Sequence, residues 1–179
     1  MNGPASDEFS DFVATCSPRL LWSARLLCRG DRSAAEDLVQ DALVETYRRW
    51  SRIESPQARY AYARRVMVRM ATKRWRKPSR LIEVTMATVP EQAAGAPTGT
   101  LERGVDVWAA LAELSPKQRA VMVLRYYEDL READIARVLG CSTGTVKTHA
   151  SRALAVLSVR LSVPDGQGSP LRRTTEELT

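Results

Sequence analysis

Three observations predict an all-α protein made of two small helical modules joined by a linker. Helix-start signals recur along the chain: Ser33 with Glu36, Ser55–Pro56, Ser115–Pro116 and Ser142 each stand ahead of a run with helical period. The stretch 81–103, with Pro90, Gly95, Pro97 and Gly99 among Ala, Thr and Glu, carries no sustained period and breaks the chain in two. Residues 1–80 show none of the strict apolar/polar alternation that a half-buried strand requires.

Taken in order, residues 8–29 hold Phe9, Phe12, Val13, Leu20, Leu21, Trp22, Leu26 and Leu27 and read as helix, with an interruption expected near Pro18 where a second turn begins. The capping box of Ser33 and Glu36 opens a helix to about Trp50, its inward stripe being Val39, Leu43, Thr46, Tyr47 and Trp50. Ser55–Pro56 opens the next, to about Lys77, where Pro78 ends it. Beyond the linker, a helix from about Gly104 to Leu114 precedes one capped at Ser115–Pro116 that ends near Tyr127. Residues 164–179, with Pro164, Gly166, Gly168 and Pro170, have the composition of a disordered tail. The expected division is therefore 1–80, 81–103, 104–163 and 164–179. Each module is small enough for its own core to be marginal.

Residues 131–157 are the most informative. A short helix from about Arg131 to Leu139 carries Ala133, Ile135, Ala136 and Leu139 as its apolar positions; Gly140 stops it and Ser142 caps the next. Two helices joined by so tight a turn read as a helix-turn-helix, whose second helix enters the DNA major groove. At ~100° per residue, Val146, Ala150, Ala153, Leu154 and Leu157 fall on the packing side. Gly144, Thr148, Ser151 and Arg152 fall opposite, with Thr145, Lys147 and His149 on the flanks, and no carboxylate occurs from Cys141 to Pro164.

Two faces stand out upstream. Asp37, Asp41 and Glu45, spaced i, i+4, i+8, line one side of their helix; like charges at this spacing repel by a few tenths of a kcal/mol, a cost that a cationic partner relieves. From Ser55 to Arg80 there are nine basic residues and no acidic one (Arg59, Arg64, Arg65, Arg69, Lys73, Arg74, Arg76, Lys77, Arg80), interleaved with Tyr60, Tyr62 and Trp75. Arginines contact phosphates and aromatic faces stack on unpaired bases. A basic, aromatic membrane-surface helix is the competing reading, but Val66 and Met70 are needed for the module's own packing.

Composition agrees and excludes. Lys and Arg outnumber Asp and Glu, 27 to 21 in 179 residues, for a net charge of +6, which suits a polyanionic partner. Cys16, Cys28 and Cys141 are an odd, scattered set without a CxxC pair, and read as reduced thiols packed like small apolar side chains rather than as disulfides or metal ligands. No run approaches the length of a membrane span and no signal peptide is present, so a soluble cytoplasmic protein without membrane attachment is expected. The single histidine is His149, and no phosphate-binding glycine loop, HExxH or Cys/His pair occurs. Catalysis, a metal centre and a cofactor are not expected.

AEDLVQDALVETYRRW (35–50), ARRVMVRMATKRWRK (63–77) and LSPKQRAVMVLRYYEDLREADIARVLGCSTGTVKTHASRAL (114–154) resemble the extracytoplasmic-function sigma factors of bacterial RNA polymerase, in the compact actinobacterial form. The resemblance covers about 150 residues in the same order. It implies that residues 1–80 match the module that binds core RNA polymerase and opens the −10 promoter element, and 104–163 the module that reads the −35 element as duplex. By the same resemblance, Asp37, Gln40, Asp41 and Glu45 match the polymerase-docking segment. The loop Ser51–Gln57 with Tyr62, Arg64, Arg65, Arg69, Arg74, Trp75 and Arg76 matches the −10 contacts, and Thr145, Lys147, Thr148, His149, Ser151 and Arg152 match the −35 contacts. Core polymerase and promoter DNA are the partners expected of a chain that is monomeric when free and nucleoid-associated in holoenzyme; an anti-sigma factor is a further partner the family admits. Arg69, where many relatives carry asparagine, and His149, where arginine or glutamine is usual, depart from the pattern. A LuxR-type activator shares the helix-turn-helix signature, but it would carry an α/β receiver or ligand-binding domain upstream. An RNA-binding or nucleoid-associated protein would explain the basic helix and leave the acidic stripe unexplained.

Overall fold

A computed structural model describes residues 4–74 and 101–161, and every described regular element is helical. The order is α1 (Pro4–Leu27), α2 (Arg32–Tyr47), a 3-10 turn (Trp50–Arg52), α3 (Pro56–Arg74), α4 (Leu101–Glu113), α5 (Pro116–Met122) running on through a π-turn (Val123–Tyr127), α6 (Glu132–Leu139) and α7 (Thr143–Leu161). Trp75, Arg76, Lys77, the helix end at Pro78, the linker up to residue 100 and the tail lie outside the described residues.

Local chemistry explains most boundaries, with two corrections. Helix α1 runs unbroken through Pro18. Proline removes one backbone donor, but Pro18 and Ala14, whose carbonyl loses that bond, both face solvent, so water can satisfy the group. The cap of α2 is Asp31, whose carboxylate accepts from the Ala34 amide at 2.9 Å, and not Ser33; Glu36 pairs instead with Arg32 at 2.8 Å. Ser55 accepts from the Ala58 amide, and Ser115 with Gln118 makes a reciprocal capping box. Gly140 ends α6 with φ +66° and Ser142 accepts from the Thr145 amide at 3.1 Å, which is the tight turn of a helix-turn-helix.

On the inward face of α2, Val39 and Thr46 are buried as expected and are joined by Ala35, Leu38 and Ala42, whereas Tyr47 is 52% exposed. Both α1 and α3 pack on α2, and alanines at 35 and 42 let those backbones approach. The helix then stops, and Trp50 enters the core from the 3-10 turn. Phe9, Phe12 and Tyr47 gather around it, with Phe9 5.0 Å and Phe12 5.1 Å from the Trp50 ring, and the Arg59 guanidinium lies over the Trp50 ring at 3.8 Å. Arg59 also donates to the Ile53 carbonyl at 3.0 Å, so the loop between α2 and α3 is held from both sides.

The two modules do not stand apart. Leu20, Ala24 and Leu27 of α1, Leu38 and Val39 of α2 and Met67 and Val68 of α3 form one continuous core with Val121, Leu124, Ile135, Val138 and Val146 of the C-terminal half. Full burial of a side chain such as Leu124 or Ile135 is worth ~1.5–3 kcal/mol, so two cores that are each marginal by size stabilise one another. A second cluster (Leu111, Leu114, Met122, Ala153) holds α4 and α5 to α7. Trp108 of α4 reaches back to Trp22 of α1, ring centres 6.2 Å apart, with the Arg25 guanidinium facing both rings. Gly30, at φ +88°, lies under Trp108, where a Cβ would come within 3.2 Å of the indole; only glycine meets both demands.

Cys16 and Cys28 are buried in this core, and Cys141 is half-buried. Burial pushes the Cys16 thiol up to about 11, its own backbone hydrogen bond opposing. A thiol reagent at pH 8 is therefore expected to label the native chain rapidly at one position, Cys141, and all three only after denaturation; rapid loss of Cys16 from the native chain would contradict the packing.

Candidate nucleic-acid interface

Helix α7 begins at the Ser142 cap and packs through Val146, Ala150 and Ala153, all buried, against α5 and α6. That anchoring turns Lys147, Thr148, Ser151 and Arg152 outward, all four exposed, with Thr145 and His149 half-buried at the margins. Thr148 donates its hydroxyl to the Gly144 carbonyl at 3.0 Å, and the exposed Lys147 lies 3.8 Å from the half-buried Glu132, a long pair of little energetic weight. Leu157 packs as expected, joined by Val156, whereas Leu154, also expected on the packing side, is 40% exposed. Burial, then Lys117 and Arg152, pull His149 below the ordinary histidine value, so the free chain holds a neutral imidazole at pH 7. The protonated form expected to gain from a nearby phosphate is disfavoured until DNA arrives.

On α2, Asp37, Gln40 and Asp41 are exposed, and neither aspartate has a cation at ion-pair distance among the described residues. Glu45 is the exception, lying 3.5 Å from both Arg48 and Arg49. Beside the aspartates runs a shallow groove between α1 and α2 lined by Ser17, Leu21, Val39 and Leu43, with Glu36, Asp37 and Gln40 at its edge.

The basic helix α3 buries Ala63, Met67, Val68 and Ala71 and exposes Arg65, Arg69 and Lys73. Tyr62 is half-buried, with the Arg49 guanidinium 5.9 Å from its ring. Arg74 is the last residue of the helix; Trp75 and Arg76 lie outside the described residues. Two of the arginines turn toward the C-terminal half: Arg64 meets the Glu128 carboxylate at 3.1 Å and Arg69 donates to the Val138 carbonyl at 3.1 Å. The structure thus gathers the −35 candidates on one open face, keeps the acidic docking candidates together on another, and lays α6 against the helix that carries the −10 candidates.

Comparison with known proteins decides what these surfaces belong to. Residues 12–81 match the family model for sigma-70 region 2, and residues 105–157 that for sigma-70 region 4. The chain is 39% identical over 170 residues to the RNA polymerase sigma-E factor of Streptomyces coelicolor, covering 95% of both chains. It is 30% identical to the ECF RNA polymerase sigma factor SigL of Mycobacterium tuberculosis, over 79% of this chain and 82% of that one. The chain is an extracytoplasmic-function sigma factor.

Among solved structures, the sigma factor is similar to RpoE of Bartonella quintana, whose crystal structure is a complex with the anti-sigma factor NepR (TM-score 0.64, 27% identity, covering 88% of this chain and 98% of that one). The relatives are sigma factors and not LuxR-type activators, and no strand occurs among the described residues to build a receiver domain. Two residues that sequence reasoning passed over now emerge. Glu128, in the YYEDL segment, has a fully buried side chain ringed by residues of the N-terminal half, and Arg119, in the SPKQR motif, is buried with its guanidinium on three carbonyls. Neither could be found by period or local spacing, because their partners lie up to about a hundred positions away.

Proposed function

We propose that this sigma factor docks on core RNA polymerase through Asp37, Gln40, Asp41 and Glu45 of α2. It then directs the enzyme to promoters whose −10 element meets the Ser51–Gln57 loop and the basic helix, and whose −35 element meets α7. The division into 1–80, a linker 81–103, 104–163 and a tail 164–179 follows that split. The observation that carries the reading is α2: two exposed aspartates one turn apart, without an intramolecular cation among the described residues, at the rim of an apolar groove. A duplex-binding activator has no use for such a face, whereas a helix pair bearing basic residues would fit both groove and charges. The chain supplies positioning and no bond chemistry of its own, and acts in the cytoplasm where polymerase and chromosome meet. The relative whose structure is a sigma–anti-sigma complex supports an anti-sigma partner here too.

Run-off transcription with purified core polymerase on genomic fragments tests this; absence of factor-dependent start sites would overturn it. Within α7, Arg152 can donate two hydrogen bonds to a guanine edge, worth ~1–3 kcal/mol of discrimination. Arg152→Ala is expected to relax preference at one −35 base pair by roughly ten- to a hundredfold in selections from a library randomised over that element. Lys147→Ala, touching phosphate, should weaken all promoters about equally. An unaltered Arg152→Ala profile would remove that residue from the base readers.

A further inference from the structure

Glu128 closes the π-turn after α5, and its carboxylate receives four groups, all from the N-terminal half. Ser23 of α1 donates its hydroxyl at 2.5 Å, Tyr60 of α3 its phenol at 2.8 and 3.0 Å to the two oxygens, and the guanidiniums of Arg19 and Arg64 each approach at 3.1 Å. The Glu128 side chain is fully buried, that of Arg64 is 12% exposed, and Ser23 is buried. Arg19, 53% exposed, forms the open side. Without Glu128, these four would be two cations and two hydroxyl donors converging on one point, with no other acid among the described residues in ion-pair contact with either guanidinium.

The closed arrangement is incompatible with the proposed function. Elements centred near −10 and −35 stand roughly 25 base pairs apart, about 85 Å of B-form DNA at ~3.4 Å per pair. Here the −10 helix and the helix-turn-helix touch, Arg69 donating to Val138. Reading both elements requires the halves to part, and parting withdraws Glu128 from its four donors. Arg64, 12% exposed, and the more open Arg19 are then left without their anion, at a cost that falls mainly on Arg64, and the anion nearest to α3 in a promoter complex is a backbone phosphate. Carboxylate and phosphodiester are both oxyanions that take short charge-assisted bonds from guanidinium and hydroxyl donors.

We infer that Arg19, Ser23, Tyr60 and Arg64 form a phosphate site for promoter DNA, occupied in the closed sigma factor by Glu128 as an internal substitute. The inference rests on the sigma-factor reading and adds Arg19, Ser23 and Tyr60 of the α1–α3 surface to the DNA contacts. Closed factor and DNA compete for one site, so the free factor binds DNA weakly and opening exposes the site. Burial, then the Glu128 charge, holds the Tyr60 phenol protonated as a donor while Glu128 occupies the site, and a phenol freed of both is still a donor at neutral pH.

The test uses the full chain and a fluorescently labelled single-stranded DNA oligonucleotide of about 15 bases at low salt, with Glu128→Gln, Arg19→Gln and the double variant. Glu128→Gln is expected to bind at least roughly tenfold tighter than the unaltered chain and to show the larger scattering radius of an opened molecule. Adding Arg19→Gln should remove most of that gain and flatten the salt dependence by nearly one phosphate contact. Glu128→Asp keeps the charge but shortens its reach by a methylene, and is expected to give an intermediate gain with the fold intact by circular dichroism. Binding by the Asp and Gln variants no tighter than the unaltered chain overturns the proposal. So does a gain undiminished in the double variant, which would make Glu128 a latch over other basic residues. Factor-dependent run-off transcription by the unaltered chain, measured on the same preparation, separates failure of this site from failure of the sigma reading.

Discussion

Replacing Asp37 and Asp41 together by lysine is expected to weaken core-polymerase binding by about a hundredfold or more, roughly 3 kcal/mol. The two carboxylates sit one helical turn apart on an exposed face with no ion-pair partner among the described residues, so the structure gives them no internal work. Reversal turns two attractions into two repulsions against a basic docking surface, and like charges brought together across an interface cost several kcal/mol. The fold should be indifferent, because neither residue contributes to the core and an exposed substitution usually shifts stability by no more than ~0.5 kcal/mol. Glu45→Lys alone is expected to do less to binding, since Glu45 already shares its charge with Arg48 and Arg49. Pull-down of core polymerase by tagged factor, alongside circular dichroism, is the measurement. Unchanged capture by the folded double variant would remove α2 from the docking surface.

Legibility in the sequence followed the range of the interaction. Caps, the glycine stop at 140 and the outward set Lys147, Thr148, Ser151 and Arg152 are decided within a few residues, and period and residue type found them. The same local logic misplaced the α2 cap, because Asp31 and Ser33 both qualify by residue type and it is the Asp31 carboxylate that accepts from the Ala34 amide. It expected a break at Pro18, where the outcome depended on which side of the helix faces water. It assigned Tyr47 and Leu154 to packing faces because both are large and apolar, while α2 also packs through Ala35 and Ala42, which carry little weight in a hydrophobic pattern. Most of all, it treated the modules as separate. Nothing local announces that Leu124, Ile135 and Val138 complete a core begun by Leu20 and Met67, or that Glu128 is the counter-charge of Arg19 and Arg64. Arg64 read as a simple phosphate contact for that reason; its carboxylate partner is 64 positions away.

Arg119→Ala is expected to cost about 3–5 kcal/mol of stability and to lower the melting temperature by about 10 °C. The Arg119 guanidinium is buried and donates to the Leu114 carbonyl at 2.7 Å, the Leu111 carbonyl at 2.8 Å and the Leu27 carbonyl at 2.9 Å. Leu111 lies in the last turn of α4, Leu114 just beyond it, and Leu27 is the last residue of α1; the Leu111 carbonyl also receives the Leu114 amide at 3.3 Å, whereas the Leu27 and Leu114 carbonyls stand where the helical ladder no longer supplies a donor. Burial, and secondarily Arg29, pull Arg119 down to about 10, with Cys28 acting the other way; the cation nevertheless stays charged at neutral pH because its fork satisfies three acceptors at once. Truncation leaves the Leu27 and Leu114 carbonyls without their donor at ~1–3 kcal/mol each, and Leu111 with only the Leu114 amide, offset where water enters the space. Lysine is no substitute: a single ammonium on a flexible stem cannot span acceptors on two helices in the geometry of a planar fork, so Arg119→Lys should recover less than half of the loss. Because one of the three bonds ties α4–α5 to the end of α1, the variant should also loosen the closed arrangement and raise the scattering radius before global unfolding begins. Thermal and denaturant unfolding followed by circular dichroism, with scattering at about 25 °C, decides it: a loss under about 1 kcal/mol would mean that water replaces the guanidinium freely and that this residue holds neither helix ends nor modules together.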